Sequence, residues 1–290
     1  MQDELGLGFV NGHAVGRILK EAVRRACVAI RNERDRFEAQ SKLHYSGTMD
    51  DVVTSADLKA QEIYERTFRE CFPDCGIIAE ELGLVIAPKN GCTAYFTVDP
   101  LDGTKAYVRR QSHGVSTMVA LVDCGRVIAA YVGDVNAEEV YGFRPGSDFV
   151  HRITRLDNFE RLNDVEAWKR SVFETTALLR HPFEEHAPQT QAMIKRFRTY
   201  EVMGSSIGTW SARLWKGEVG ALVLKPGYET PWDDTPVAGI SRKLGFEYLR
   251  FENGSWATYE PELRTVTTAR EHDVLIVHAD CLAALEAAGG

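Results

Sequence analysis

The chain has 290 residues, 44% of them apolar and 26% charged, with a formal net charge of −8. That length suits one large layered unit or two closely packed subdomains. The acidic balance argues against nucleic acid or an anionic membrane as the main partner, but bound cations would still admit a phosphorylated substrate.

No apolar run approaches the roughly 18 residues of a membrane span, and the acidic N-terminus lacks the order of a secretory signal. A cytoplasmic protein is expected. The six cysteines (27, 71, 75, 92, 124 and 281) show neither a Cys-x-x-Cys pair nor zinc-finger spacing, so they are expected to be reduced thiols.

Apolar residues at 14, 15, 18, 19, 22, 23, 26, 29 and 30 recur at helical spacing. They predict a helix over 14–37, whose other face, with Arg17, Lys20 and Arg24, is solvated. The stretch 50–57, DDVVTSAD, reads as an extended segment ending in Asp57, and a helix capped by Thr54 or Ser55 is expected over 55–71. GIIAEE (76–81) and AYFTVD (94–99) read as short buried strands that end in acid. Residues 115–135 read as a hairpin turning at Asp123, Cys124 and Gly125. Past about residue 155, strands at TALLRH, TYEVMGSS and VGALVL alternate with helices near 188–197 and 206–216, which suggests a mixed or parallel sheet. HPFEEH (181–186) matches no zinc-protease helix pattern and reads as a polar loop.

The stretch VDPLDGTKAYV (98–108) poses the main chemical question. Residues three apart on a straight strand face opposite ways, so Asp99 and Asp102 converge only if the backbone turns between them. Pro100 is read as the stop and Gly103 as the permissive corner. Such a turn exposes the Leu101 carbonyl and brings the Thr104 hydroxyl to the same side. Two carboxylates, a carbonyl and a hydroxyl are hard oxygen donors that suit Mg²⁺ rather than Zn²⁺. The bland alternative is that the acids cap the following helix. Further acids stand at the ends of other elements: Asp57, then Glu80 and Glu81, then Asp233 and Asp234 in TPWDDTPVAG (230–239).

The order D…EE…DPLDGT…WD resembles the inositol monophosphatase superfamily of Mg²⁺-dependent, lithium-sensitive phosphatases. The resemblance implies an α+β fold, the five-layer αβαβα sandwich of the inositol monophosphatase and fructose-bisphosphatase type. An antiparallel-sheet subdomain would cover 1–155 and a mixed α/β subdomain 156–290, with the active site at their junction. By motif position, Glu80, Asp99 and the Leu101 carbonyl look like ligands of one Mg²⁺, and Asp99, Asp102 and Asp233 like ligands of a second. Asp57 and Glu81 would hold metal-bound waters or a weaker third ion, and Thr104 would help orient the attacking water. Glu80, Thr104 and Asp57 are the expected catalytic groups. Gly103, Thr104, Gly204, Ser205 and Ser206 are expected to touch substrate, with KPGYET (225–230) as another pocket edge.

What the resemblance implies for function is hydrolysis of a small phosphorylated metabolite with two or three Mg²⁺ per site. Inositol monophosphate leads; histidinol phosphate, a 3′-phosphonucleotide or a sugar phosphate stays open. Many members are homodimers; no nucleic-acid or membrane partner is expected. Departures from the family pattern at Ala79, Lys105-Ala106 and WDDTP surround the substrate lip and leave the motif acids intact. Lys105, Arg109 and Arg110 would meet a second anionic group or stand in solvent. Two rivals predict different behaviour. An aspartyl-phosphate phosphatase needs D-x-D spacing where this chain has D-x-x-D, and a degenerate relative would bind phosphorylated ligands or metal without turnover.

Overall fold

The computed structural model describes residues 11–43, 47, 51–166 and 171–286. Asp50, which opens the predicted extended segment, lies outside the described residues. The first helix, α1 (Gly12–Glu33), buries Val15, Leu19, Val23, Ala26 and Ile30 along one face, and Asn11 caps it by accepting from Ala14 N at 3.0 Å. It ends short of the predicted residue 37. Tyr107 donates its hydroxyl to Ile30 O at 2.7 Å, and the chain turns away so that Phe37 packs on the Tyr107 ring, 5.1 Å between centroids.

A short hairpin follows, β1 (Ala39–Lys42) with β2 (Asp51–Thr54), pairing Lys42 with Asp51. The next helix, α2 (Ser55–Cys71), has the bounds its sequence predicts. The extended segment stops at Thr54, so Asp57 does not end it. Asp57 stands in the first turn of α2 and closes a capping box, accepting from Thr54 N at 2.8 Å.

The first sheet uses β3 (Gly76–Ala79), β4 (Val85–Ile86) and β5 (Tyr95–Asp102). After the short helix α3 (Thr104–Val108) it adds β6 (Ser116–Asp123), β7 (Arg126–Asp134), β8 (Glu139–Phe143), β9 (His151–Ile153) and β10 (Phe159–Arg161). Its spatial order is β10-β9-β8-β7-β6-β5-β3-β4, antiparallel except for the β3–β5 pair. The predicted hairpin is β6–β7, with its turn where expected. The sheet runs past residue 155, because β10 pairs back on β9 through Arg161.

The second sheet starts with β11 (Thr176–Leu179), followed by α4 (Pro188–Ile194), β12 (Thr199–Val202), α5 (Ile207–Trp215) and β13 (Ala221–Leu224). Then come β14 (Gly227–Glu229), α6 (Pro231–Lys243), β15 (Phe246–Glu252), β16 (Ser255–Tyr259), β17 (Thr268–Arg270), β18 (Val274–His278) and α7 (Leu282–Glu286). Strand order is β12-β11-β13-β18-β15-β16, with β12 and β13 parallel to β11 and the rest antiparallel; β14 and β17 pair separately.

Three apolar interfaces stack these elements into five layers. Leu19, Tyr64 and Phe68 of α1 and α2 bury Phe96 and Val119 on one face of the first sheet. Met118 and Ala120, on the other face of β6, meet Trp210 and Ile240 of α5 and α6, which also cover Leu222 and Ile276 of the second sheet. Met193 of α4 and Leu285 of α7 close the outer face over Leu179 and Val277. Because β6 is covered on both faces, STMVALVD lacks polar alternation. The αβαβα sandwich is the fold of this chain.

Candidate active site

The two aspartates of β5 are brought together by a defect in strand pairing. Asp99 is paired with Met118 and Asp102 with Ser116, so β5 carries one more residue than β6 across that interval. This β-bulge returns residues three apart to one face. Pro100 therefore does not stop the strand, contrary to the sequence expectation. It sits inside the bulge, where the ladder asks no N–H of it. Gly103 does make the corner, at φ 92°, and a Cβ there would overlap Gly114 O.

Asp99 Oδ1 accepts from Leu101 N at 2.9 Å. Asp102 Oδ2 accepts from Ser116 Oγ at 2.9 Å, Ser206 Oγ at 2.6 Å and Gly208 N at 2.8 Å, tying the first sheet to the start of α5. Ser206 also caps α5 by accepting from Thr209 N at 3.0 Å. Expected to touch substrate, it is buried, engaged in these bonds and not among the residues that line the cleft. Ser205 donates to Gly114 O and holds φ 126°, so its hydroxyl proton is already used; with Gly204 it still lines the cleft. Asp233 enters from the first turn of α6, where Thr230 Oγ1 donates to its Oδ2 at 2.7 Å. Its neighbour Asp234 accepts from Thr230 N at 2.6 Å, which ties down the start of α6.

Glu80 and Glu81 follow β3 rather than belonging to it. Gln61, one turn beyond Asp57 on α2, holds the Glu81 backbone from both sides: its Nε2 donates to Glu81 O at 2.9 Å and its Oε1 accepts from Glu81 N at 3.0 Å. Lys42 reaches over from the β1–β2 hairpin, its Nζ 2.8 Å from Glu80 Oε1 and 2.6 Å from Glu81 Oε1. Thr104 Oγ1 lies 3.1 Å from Asp57 Oδ1 and 3.0 Å from Leu101 O, joining two parts of the motif that are far apart in sequence.

These groups surround a cleft of about 620 Å³. Glu80, Asp99, Asp102 and Asp233 line it, and so do Lys105, Arg109, Arg180 and His181. Arg180 and His181 follow the end of β11; reading TALLRH as a strand and HPFEEH as a polar loop missed both as cleft residues. Arg110 and KPGYET do not line the cleft. Arg110 offers its carbonyl to Arg34 instead, and Gly227–Glu229 pairs with β17.

Burial dominates the electrostatics. It raises Glu80 to about 8, with Glu81 and Asp233 adding to the rise against Lys42. It holds Asp99 well above the usual carboxylate range, reinforced by Glu80, Asp233 and Asp102. Asp102 rises to about 6 through burial and Asp233, although Arg180 and its hydrogen bonds resist, and burial takes Asp57 to about 7. Burial also works against the Lys42 charge, but Glu80 and Glu81 outweigh it and keep the ammonium protonated. His181 falls to about 4, through burial first and then Lys225 and Arg180, so its ring is neutral at pH 7.

Oxygens of Asp99, Asp102 and Asp233 lie within 4.8 Å of one another, a grouping that can hold a metal ion. No hydrogen-bond donor among the described residues reaches the buried Asp233 Oδ1. Crowded, partly unsatisfied carboxylates, with a lysine drawn in over Glu80 and Glu81, fit a hard cation.

A layered α+β fold with an oxygen-rich acidic cleft at the seam of its sheets is the class this molecule defines. Within it, the model of the inositol monophosphatase family matches residues 13–281, and the chain belongs to that family, which is metal-dependent. Over 113 residues the chain is 27% identical to the 3′(2′),5′-bisphosphate nucleotidase CysQ of Salmonella typhimurium, covering 37% of this chain and 46% of the relative. Over 144 residues it is 26% identical to the Nus factor SuhB of Pseudomonas aeruginosa, covering 49% and 47%. The matched stretch thus spans about half the length of these curated relatives. A solved structure described as IMPase/NADP phosphatase complexed with NADP and Ca²⁺ superposes with a TM-score of 0.69 at 16% identity, covering 95% of each chain. At that identity the likeness is one of fold. No described helix is long and apolar enough to cross a membrane.

Proposed function

We propose that this chain is a Mg²⁺-dependent hydrolase of small phosphomonoesters. The observation that carries the reading is the meeting of Asp99, Asp102 and Asp233 around one cleft, beside a Thr104–Asp57 hydrogen bond. Glu80, Asp99 and the Leu101 carbonyl would hold one ion, and Asp99, Asp102 and Asp233 another. Asp57 and Glu81 stand farther out. Bound Mg²⁺ would offset the carboxylate charge, polarise the phosphoryl oxygens and stabilise both ends of an in-line displacement.

The chain's own residues supply the rest. As Thr104 Oγ1 accepts a proton from the attacking water, its own hydroxyl proton passes along the hydrogen bond to Asp57 Oδ1. Gln61 fixes the Glu81 backbone, and the Ser116–Ser206–Gly208 donors fix Asp102. Release of phosphate from a panel of phosphomonoesters in Mg²⁺, absent with EDTA, is the expected result. Phosphate released equally in EDTA, or Asp99 found phosphorylated, would sink the reading.

Metal binding should also appear in stability. A carboxyl that titrates higher in the folded chain holds its proton more tightly there. In the metal-free protein the contribution of these carboxyls is therefore fully present below their unfolded values of 3.8 to 4.5, and is lost as the pH rises through about 6 for Asp102 and about 8 for Glu80. Mg²⁺ binds the deprotonated groups, so its effect on Tm should be larger at pH 8 than at pH 5.5. Melting curves that show the same Mg²⁺ shift at both pH values would contradict this.

Inositol monophosphate is the substrate the family name suggests. The cleft favours a second reading, a phosphomonoester whose leaving group carries its own anion, such as a 3′-phosphonucleotide. Lys105, Arg109 and Arg180 line the cavity that holds the acids, and the neutral His181 has a buried Nδ1 that no described donor or acceptor reaches. A ranking by kcat/KM should place such substrates above inositol monophosphate. Arg180→Ala should then lower kcat/KM for them by about 10- to 100-fold, the loss of one charge-assisted hydrogen bond, while leaving p-nitrophenyl phosphate within about threefold. A ranking led by inositol monophosphate, with Arg180→Ala neutral throughout, would return the first reading.

A further inference from the structure

The parallel strands β3 and β5 lead at their C-terminal ends to Glu80 and Asp102; at their other ends they carry a pair of thiols. Cys75 Sγ and Cys92 Sγ lie 3.8 Å apart, with Cys75 buried and Cys92 partly exposed. We propose that Cys75 and Cys92 are a built-in oxidisable pair that forms an intramolecular disulfide by exchange with a low-molecular-weight disulfide.

Backbone geometry already holds the two residues together. Gly76 is in register with Tyr95, and Gly76 N donates to Ala94 O at 2.9 Å. The turn before Cys92 is tied to the residue before Cys75, with Lys89 N donating to Asp74 O at 2.8 Å and Asn90 Nδ2 to Asp74 Oδ1 at 2.7 Å. An S–S bond of roughly 2.05 Å requires the two sulfurs to close that gap, between segments the backbone already holds side by side. The other thiols are placed differently. Cys27 and Cys281 are buried in separate cores, and Cys71 and Cys124 are exposed.

The order of events follows from access. Cys92, the more exposed thiol, loses its proton and attacks one sulfur of glutathione disulfide, releasing one glutathione thiolate and leaving a mixed disulfide. Cys75 then gives up its proton and attacks Cys92 Sγ, expelling the second glutathione thiolate. Two protein thiols are oxidised and one external disulfide is reduced to two thiols. Burial, aided by Cys92, Asp74 and Asp123, pushes the Cys75 thiol up to about 12, which makes it a poor first nucleophile; its part in the second step rests on its 3.8 Å distance from Cys92 Sγ. The bond would staple the base of the 75–92 excursion, which carries Glu80 and Glu81 at its turn. It does not depend on the proposed hydrolytic reaction.

Cys124 is the internal competitor, because its Sγ lies 3.5 Å from Thr93 Oγ1, next to Cys92. The test is to incubate the whole protein with glutathione disulfide, alkylate remaining thiols, and map peptides by mass without reduction. The expected result is a Cys75–Cys92 cross-linked peptide two hydrogens lighter than its reduced parts, with the other four thiols alkylated. The oxidised protein should melt higher than the reduced one, and both the cross-link and the shift should vanish in Cys92→Ser. A Cys92–Cys124 link, or glutathione held on Cys71 or Cys124 while Cys75 and Cys92 stay alkylatable, would overturn the proposal.

Discussion

Asp99→Asn is expected to lower kcat/KM by at least about a thousandfold while the chain stays folded. Asparagine keeps the shape and can still accept from Leu101 N, the one hydrogen bond seen on the Asp99 side chain's Oδ1. What it loses is a negative charge at the centre of the acidic cleft, shared in the proposed assignment between two ions. Asp99 is crowded by Glu80, Asp233 and Asp102 in a buried position, so without metal the substitution removes a repulsion. The variant should therefore melt no lower than the parent in EDTA, and Mg²⁺ should raise its Tm far less. Near-normal turnover would refute the metal role of Asp99. A parental Mg²⁺ shift with turnover lost would assign Asp99 to the chemistry and the ions to other groups.

The acids that carry this prediction were legible because their signal is local. DPLDGT, EE and WD each place oxygen donors at the end of an element, and the caps of α2 and the β6–β7 turn are set by residues adjacent in sequence. The rest depends on contacts between distant segments. Sequence spacing demanded a bend between Asp99 and Asp102, but only pairing with Ser116 and Met118 makes it a bulge rather than a strand end. Ser206 looked free for substrate, yet docking of α5 on the first sheet delivers it to Asp102. Gln61 had a readable sign, a polar residue one turn from Asp57 on the face that buries Ala60 and Tyr64. Arg180 and His181 had none, since their place depends on which end of β11 opens onto the seam.

The Asp57–Thr104 hydrogen bond is the other place where a large loss is expected. If Thr104 passes a proton to Asp57, Asp57→Asn and Thr104→Val should each lower kcat by about 10²- to 10⁴-fold, and Thr104→Ser, which keeps the hydroxyl, should recover most of it. A structural role predicts otherwise. Asp57 also caps α2 through Thr54 N, and a lost cap would lower Tm without separating serine from valine at position 104. The pH profile separates the two further. Burial places Asp57 at about 7, above its ordinary 3.8, so its accepting form predominates only above that pH. The parent should show a rising limb in kcat/KM there, at an apparent value that bound metal would lower, and Asp57→Asn should lose it. Because the two residues act on one proton, the double variant should be little worse than either single one. Losses that multiply, or a serine variant as inactive as valine, would leave the hydrogen bond a structural contact and move the proton's acceptor elsewhere in the cleft.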